Sequence, residues 1–340
     1  MKKIGVIFWF LILASAWMMI GCGDDDDDNG GEQDSEVDTE NEATSVYGCK
    51  LSDHYTVDDG NFCHDDFQCK SRFCEAWSAI PRDPEAKCVA APTDPTHARY
   101  LATVVDFETR QPLAGVEVRA APAMLTQTMS RNVKPTQTKV SDENGRVEFI
   151  FVEGEDLTDP IAEVVLAEHE GYYWTGTGVV EIDMDGTWRE GSDTNNMLMI
   201  PLTLVEKIKT AMAADPSTQS LPELGEQGGA MGRAFRLSDA KPIEGAILKS
   251  RKASTTSVVI YPTADYSGFQ DKTSSTGAYL IFYPGAGEKF DIYKDGKQIS
   301  SPWDEGTTGS TSKLIFAQDM WVDDLPWCDN IETYSPDAGL

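Results

Sequence analysis

The 340-residue sequence predicts an all-β protein: two tandem β-sandwiches preceded by a small disulfide-rich module and a disordered acidic tether. Three observations predict it. Beyond Pro95 the chain breaks into short apolar runs separated by Gly, Pro, Asn and Asp, as strands joined by turns require. The same order of strand and turn signals returns about 130 residues later, the mark of an internal duplication. Five cysteines crowd into residues 49–88, a stretch too poor in apolar side chains to be held by a core alone.

The first sandwich is placed at 98–205. Tyr100–Asp106 reads as its first strand, followed by Pro112-Leu-Ala-Gly115-Val-Glu-Val118 and by Thr138–Phe151. Alternation of Val116 with Val118, and of Val147, Phe149 and Phe151, gives each strand one buried face. Asn144-Gly145 supplies the positive-φ pair of a tight hairpin. Further strands are expected at 162–167, 175–182 and 197–205. About seven strands over this length suit two packed sheets in an Ig-like arrangement.

A second, divergent sandwich is placed at 230–325. Gly232-Arg-Ala-Phe-Arg-Leu leads to Pro242-Ile-Glu-Gly245-Ala-Ile-Leu248, and Thr273–Phe282 matches the Thr138–Phe151 element. Pro112 to Pro242 spans 242 − 112 = 130 residues, and Gly145 to Gly277 spans 277 − 145 = 132. Asp295-Gly296 marks a hairpin between Phe290–Tyr293 and Lys297–Ile299. Residues 206–229 start with a short helical pattern, Ile208 and Met212 on one face, then run through Pro216 and Pro222 to Gly229; they are read as a linker.

On these residues both copies resemble the carboxypeptidase regulatory-like, or transthyretin-like, β-sandwich. The shared features are a first strand, a Pro-Leu-x-Gly-Val-x-Val turn and strand, and a Thr-x-x-(Asp)-x-x-Gly-x-Phe element. The second copy lacks the Asp before its glycine and carries Tyr279 at the aromatic position.

The N-terminus reads as an address. Met1-Lys2-Lys3 precedes an uncharged apolar run to Ile20, and Met19-Ile20-Gly21-Cys22 follows, with a small residue before a thiol. This resembles a bacterial lipoprotein signal, which implies cleavage after residue 21 and a lipid on Cys22; Met19 stands where leucine is usual. Residues 22–48 form the tether. Between Gly23 and Gly48 lie eleven Asp and Glu, including Asp24 to Asp28, and no Lys or Arg. Such a stretch repels itself and buries no core; extended, it would reach on the order of 85 Å. Gly23 after the lipid cysteine does not match an inner-membrane retention signal, so the expected location is the outer membrane, with surface display as an open alternative.

Seven cysteines minus Cys22 leave six: Cys49, Cys63, Cys69, Cys74, Cys88 and Cys328. An even set in an exported chain predicts disulfides. Five lie in the module at 49–92, whose Cys63–Cys74 run resembles small Dickkopf-like or growth-factor-like cysteine modules. Because five cannot all pair among themselves, Cys328, in the tail at 326–340, is expected to close onto the module. Zinc held by Cys63, His64, Cys69 and Cys74 is the rival reading, and it lacks the usual paired spacing.

No catalytic constellation is evident. His54, His64, His97 and His169 start neither an H-x-x-E nor an H-E-x-x-H pattern. There is no G-x-S-x-G elbow, no phosphate loop and no cysteine left over as a nucleophile. Asp183-Met-Asp185-Gly186 and Asp58-Asp59-Gly60 are read as Asp-Gly turns rather than calcium loops, since neither continues into a twelve-residue loop ending in Glu. Tyr172, Tyr173 and Trp174, with Trp303, Trp321 and Trp327, are candidates for a sugar platform or for packing at a domain seam. The net charge of −29 disfavours nucleic acid and anionic lipid.

The expected function is that of a non-catalytic envelope lipoprotein without cofactor or metal, whose sandwiches act as spacer and interaction surface for an envelope protein or glycan. The alternatives are a glycan- or peptide-binding adhesion module and an accessory subunit of a secreted enzyme. Mass spectrometry of unreduced peptides from the exported protein should find all six cysteines in bridges; six free thiols would sink the disulfide assignment.

Overall fold

The computed structural model describes residues 56–63, 68–71, 73–78, 83–90, 97–122, 132–152, 162–181, 196–236, 239–285, 287–300, 307–309 and 311–322. The signal, the tether, Cys49, and the C-terminal tail with Cys328 lie outside them. In the cysteine module β1 (Cys74–Glu75) pairs antiparallel with β2 (Lys87–Cys88). The first sandwich contains β3 (His97–Asp106), β4 (Glu117–Pro122), β5 (Gln137–Val140), β6 (Arg146–Val152), β7 (Ala162–Glu168), β8 (Thr175–Glu181) and β9 (Asn196–Met199). Helix α1 (Leu202–Ala214) follows. The second contains β10 (Ala230–Arg236), β11 (Ala246–Ser250), β12 (Val258–Pro262), β13 (Phe269–Gln270), β14 (Ala278–Phe282), β15 (Glu288–Lys294), β16 (Lys297–Gln298), β17 (Thr307–Thr308), β18 (Ile315–Ala317) and β19 (Met320–Val322).

Period-two burial builds the first core. Sheet β6-β3-β9 faces strands β8-β7-β4-β5. Tyr100, Ala102 and Val104 of β3 and Val147, Phe149 and Phe151 of β6 meet Val118 and Ala120 of β4 and Val165 and Ala167 of β7. In the second sandwich, β14 and β10 face β11 and β15, with Tyr279 and Ile281 packed on Leu248, Phe290 and Ile292. In each, the opening strand pairs parallel with a late one: β3 with β9, and β10 with β18 and β19.

The repeated motif is one structure built twice. Leu113 N–H donates to Val104 O at 2.8 Å, and Ile243 N–H to Ala234 O at 2.8 Å. The Ser141 hydroxyl donates to Leu113 O at 2.7 Å and accepts Val116 N–H at 3.0 Å. Thr273 does the same with Ile243 O at 2.6 Å and Ala246 N–H at 2.8 Å. Gly145 and Gly277 sit at φ 74° and 69°, and their carbonyls accept Val104 N–H and Ala234 N–H. A side-chain hydroxyl thus satisfies backbone groups that the start of the next strand would otherwise leave unpaired.

Two expected elements take a different form. Asn144-Gly145 is not a two-residue hairpin, because β5 and β6 belong to different sheets. The Asp142 carboxylate accepts Asn144 N–H at 2.9 Å and Arg146 N–H at 2.8 Å, making a turn that carries the chain across the sandwich. The apolar run 197–205 is not one strand: β9 stops at Met199 and α1 starts at Leu202, with Pro201 at its N-cap. Proline cannot donate to a ladder but is tolerated at a helix start. Asp295-Gly296 forms the expected hairpin, with φ 51° and 81°.

The sandwiches are not separate beads. One ten-stranded sheet runs β13-β12-β14-β10-β18-β8-β7-β4-β5, with β19 also on β10. Strand β18 joins its halves, lying parallel to both β10 (Ala230↔Phe316) and β8 (Phe316↔Gly176). One face of this junction packs Phe316 and Leu314 with Leu166, Trp174 and Ala230. The other is covered by α1, whose Leu204, Val205, Ile208 and Met212 lie in one cluster with Leu280, Phe282, Ile315 and Ala317. So β14 and β18 are buried on both faces, and residues of the expected linker contribute to a core.

Gly115→Ala, whose new Cβ would meet nothing within 4 Å, should cost about 1 kcal/mol from its positive φ alone. Gly145→Ala must also force its Cβ against the Val104 carbonyl at 2.7 Å and should cost on the order of 3 kcal/mol. Urea unfolding of the two variants side by side measures the difference.

Candidate functional site

A polar constellation lies where the sandwiches meet. It starts from Asp106 at the end of β3. One carboxylate oxygen accepts Glu108 N–H at 2.9 Å, Thr109 N–H at 2.7 Å and the Thr109 hydroxyl at 3.0 Å; the other accepts the Tyr172 hydroxyl at 2.9 Å. Burial and this carboxylate push the Tyr172 pKa up to about 12. The turn so held places Arg110 at φ 61°, and its guanidinium reaches Asp319 of the second sandwich with two hydrogen bonds, 2.5 and 3.0 Å. The Arg110 guanidinium also lies 5.3 Å from the Phe107 ring and 5.1 Å from that of Phe235, while Arg233 lies 4.6 Å from Phe107.

Asp319 is aimed there by a break in the parallel ladder between β18 and β19. Gln318 N–H donates to Met231 O at 3.0 Å, and the Asp319 carboxylate accepts Arg233 N–H at 3.2 Å in place of a backbone carbonyl. Such irregularities redirect side chains. Gly232 makes room for it: a Cβ there would stand 1.7 Å from Gln318 O and 2.5 Å from the Tyr279 hydroxyl. That hydroxyl donates to Gln318 O at 2.5 Å, and burial, with Asp319 adding, holds its pKa well above the usual tyrosine value. Among the described residues, none of these contacts pairs a hydroxyl or thiol with a histidine.

A second buried carboxylate, Glu288 on β15, is 1% exposed. One oxygen accepts the hydroxyls of Ser250 at 2.6 Å, Thr255 at 2.5 Å and Ser257 at 3.0 Å, and the other accepts Gly285 N–H at 2.6 Å. Burial by itself would raise its pKa; the hydrogen bonds from Ser250, Thr255, Gly285 and Ser257 outweigh burial and hold it below the usual glutamate value. It ties the segment after β11 to β15.

The cysteine module is docked on the first sandwich. The Thr103 hydroxyl donates to Trp77 O at 2.6 Å, Ser78 to Asn196 Oδ1 at 2.8 Å, and the Arg146 guanidinium lies 5.1 Å from the Trp77 ring. Within it, Cys63 is bonded to Cys74 and Cys69 to Cys88. The sulfurs of Cys63, Cys69 and Cys74 lie within 4.8 Å of one another, as zinc ligands could. Oxidised in pairs, they offer no thiolate to a metal.

Other sequence candidates fall apart in space. Asp58 pairs with Lys70 at 2.6 Å on the surface. His169 lies beside Tyr172, ring centroids 5.7 Å apart and planes tilted by 41°. Trp174 is 2% exposed in the seam between the sandwiches, and Tyr173 packs against Gly225, so Tyr172–Trp174 present no open platform. Trp321 sits on β19 opposite Phe235. Cys22, Cys49, Cys328, His54, His64, Asp183, Asp185, Trp303 and Trp327 lie outside the described residues, as does the side chain of His97. A depression of about 200 Å³ beside the end of α1, lined in part by Met212, Thr218, Leu221 and Pro222, is small against the roughly 300–1,000 Å³ of ligand pockets.

No protein-family model and no curated protein matches the chain. Among solved structures, the shaft pilin SpaA from Lactobacillus rhamnosus GG is similar over 67% of this chain and 98% of its own, at 9% identity and TM-score 0.22. The Bacillus anthracis TIE protein is similar over 67% of this chain and 34% of its own, at 11% identity and TM-score 0.19. A Streptococcal ancillary pilin is similar over 70% and 66%, at 12% identity and TM-score 0.20. Likeness at this level carries no argument about what the chain does.

Arg110, Asp319 and Glu288 were not singled out in the sequence, and Gly232 was read only as part of the second copy's opening strand. Arg110 and Asp319 are 209 residues apart, and no local pattern links them. Ser141 and Thr273 could have been found, since each stands four residues before the glycine of the repeated motif.

Glu288 sets a pH dependence. Its pKa is lowered on folding, so its contribution is present above the unfolded glutamate value of about 4.3 and is lost as pH falls through the folded one. Denaturation below about pH 4 should therefore be less steep in Glu288→Gln than in the parent, read by urea midpoints at pH 7 and across pH 4.5 to 2.5.

Proposed function

We propose that the chain is a non-catalytic cell-envelope lipoprotein, lipidated at Cys22, in which the two sandwiches form a stiff spacer and present a protein-interaction surface. The observation that carries this reading is the ten-stranded sheet that runs through both sandwiches. A spacer must transmit position, and a shared sheet covered on both faces at its junction allows less bending than two domains on a flexible linker. The charged groups described at depth support it as well: Asp106, Asp319 and Glu288 are each engaged in turn, seam or strand-to-loop contacts.

The remaining features fit the same use. The lipobox-like Met19–Cys22 supplies an anchor, and the acidic stretch after it keeps the folded part away from an anionic surface. The twice-built Pro-x-x-Gly turn supports, for both copies, the carboxypeptidase regulatory-like family that the motifs resemble. With two bridges using four of the six cysteines, the remaining pair is Cys49 with Cys328, which would return the C-terminal tail to the docked module. The proposed location is the outer membrane, and the proposed partner is an envelope protein.

Cys22→Ser should abolish labelling by radioactive palmitate and move the protein from the membrane to the soluble exported fraction. On intact cells, added protease should remove the parent protein if it faces outward and leave it whole if it faces the periplasm. Unchanged palmitate labelling of Cys22→Ser would overturn the anchoring assignment.

A further inference from the structure

We infer that the segment Ile315–Val322 is a strap whose insertion couples the two sandwiches into one cooperative unit, and that loosening it confines a disturbance in one sandwich to that sandwich. The inference stands on the seam itself and not on the proposed anchoring.

The first sandwich has an inner core of its own, while the core of the second runs on to Val164, Leu166 and Trp174 of the first, and the cluster under α1 joins Val105 and Phe107 to Leu280 and Phe282; in the sheet, β18 joins the two halves. Along the sheet, β18 is the strand between β8 of the first and β10 of the second. Removing it would leave two strand edges with unpaired backbone groups, a state that native sheets avoid. Its side chains fill both faces of the gap: Phe316 on the side of Trp174 and Leu166, Ile315 and Ala317 on the side of α1, with relative exposures of 2%, 0% and 2%. The break at Gln318-Asp319 then sends one carboxylate back to Arg110, while β19 continues along β10.

Burial and pairing act in different ways here. Phe316 and Ile315 leave water almost completely, and that drives insertion. The Arg110–Asp319 pair lies at side-chain exposures of 16% and 6%, where desolvation offsets much of the attraction; its role is register and orientation. Gly232 is the gauge of fit, since any side chain there collides with Gln318 O. The strap follows the other described strands of both sandwiches, so during synthesis they can form before it arrives, with β8 and β10 waiting as open edges.

The test is thermodynamic coupling in the full-length exported chain, followed by hydrogen exchange of peptides from β3 and β6 and from β12 and β14. Val118→Ala weakens the first core, where Val118 is fully buried. With the strap intact, it should speed slow exchange on the order of tenfold in both sets of peptides. With Gly232→Ala added, the acceleration should be confined to β3 and β6. Asp319→Ala, a milder change at the same joint, serves as a second background and should show the same confinement to a smaller degree. Acceleration restricted to β3 and β6 while the strap is intact would overturn the inference. So would undiminished spread to β12 and β14 in both strap variants.

Discussion

A β-strand inside a sheet has to satisfy backbone groups on both sides, and β18 meets that need for two sandwiches at once. Its parallel pairing with β8 and β10 closes an edge on each. The rest of the seam follows from that placement. Trp174 is buried because the junction turns one continuous face over it, and α1 packs where it does because the opposite face, with Leu280, Phe282 and Ile315, has to be covered. The Asp319 carboxylate can reach Arg110 because the ladder is interrupted one step after β18.

Several polar side chains hold turns and strand starts in place. Ser141 and Thr273 bridge the same two strand starts in the two copies. Asp106 and Asp142 each order a turn, and Glu288 gathers three hydroxyls and an amide. Asp142 is exposed; the others are hydrogen-bonded in low-dielectric surroundings, where an unmade bond is costly and a made one gives specificity of arrangement.

How much was legible in the sequence varies with the range of the interaction concerned. Strands β4 and β6, with Val118 and Phe149 in the core, follow from period-two patterning because a strand facing one core must alternate. Strand β14 does not alternate, and its five buried residues reflect a second cover that is supplied by α1. The run 197–205 looked like one strand because apolar content does not distinguish a strand end from a helix start; Pro201 was the local cue. Two-by-two pairing of Cys63, Cys69, Cys74 and Cys88 was among the possibilities that spacing leaves open, and only the fold of the module selects Cys63 with Cys74 and Cys69 with Cys88.

By itself the sequence determined that the chain is all-β, that its sandwich motif occurs twice, and that its cysteines suit bridges, since period, turn chemistry and composition act over a few residues. The tertiary structure decided that the two copies share a sheet, that a late strand joins them, and that Arg110 meets Asp319. Those facts depend on which edges remain unpaired after each sandwich has closed, a property of the assembled backbone that no local window of residues contains.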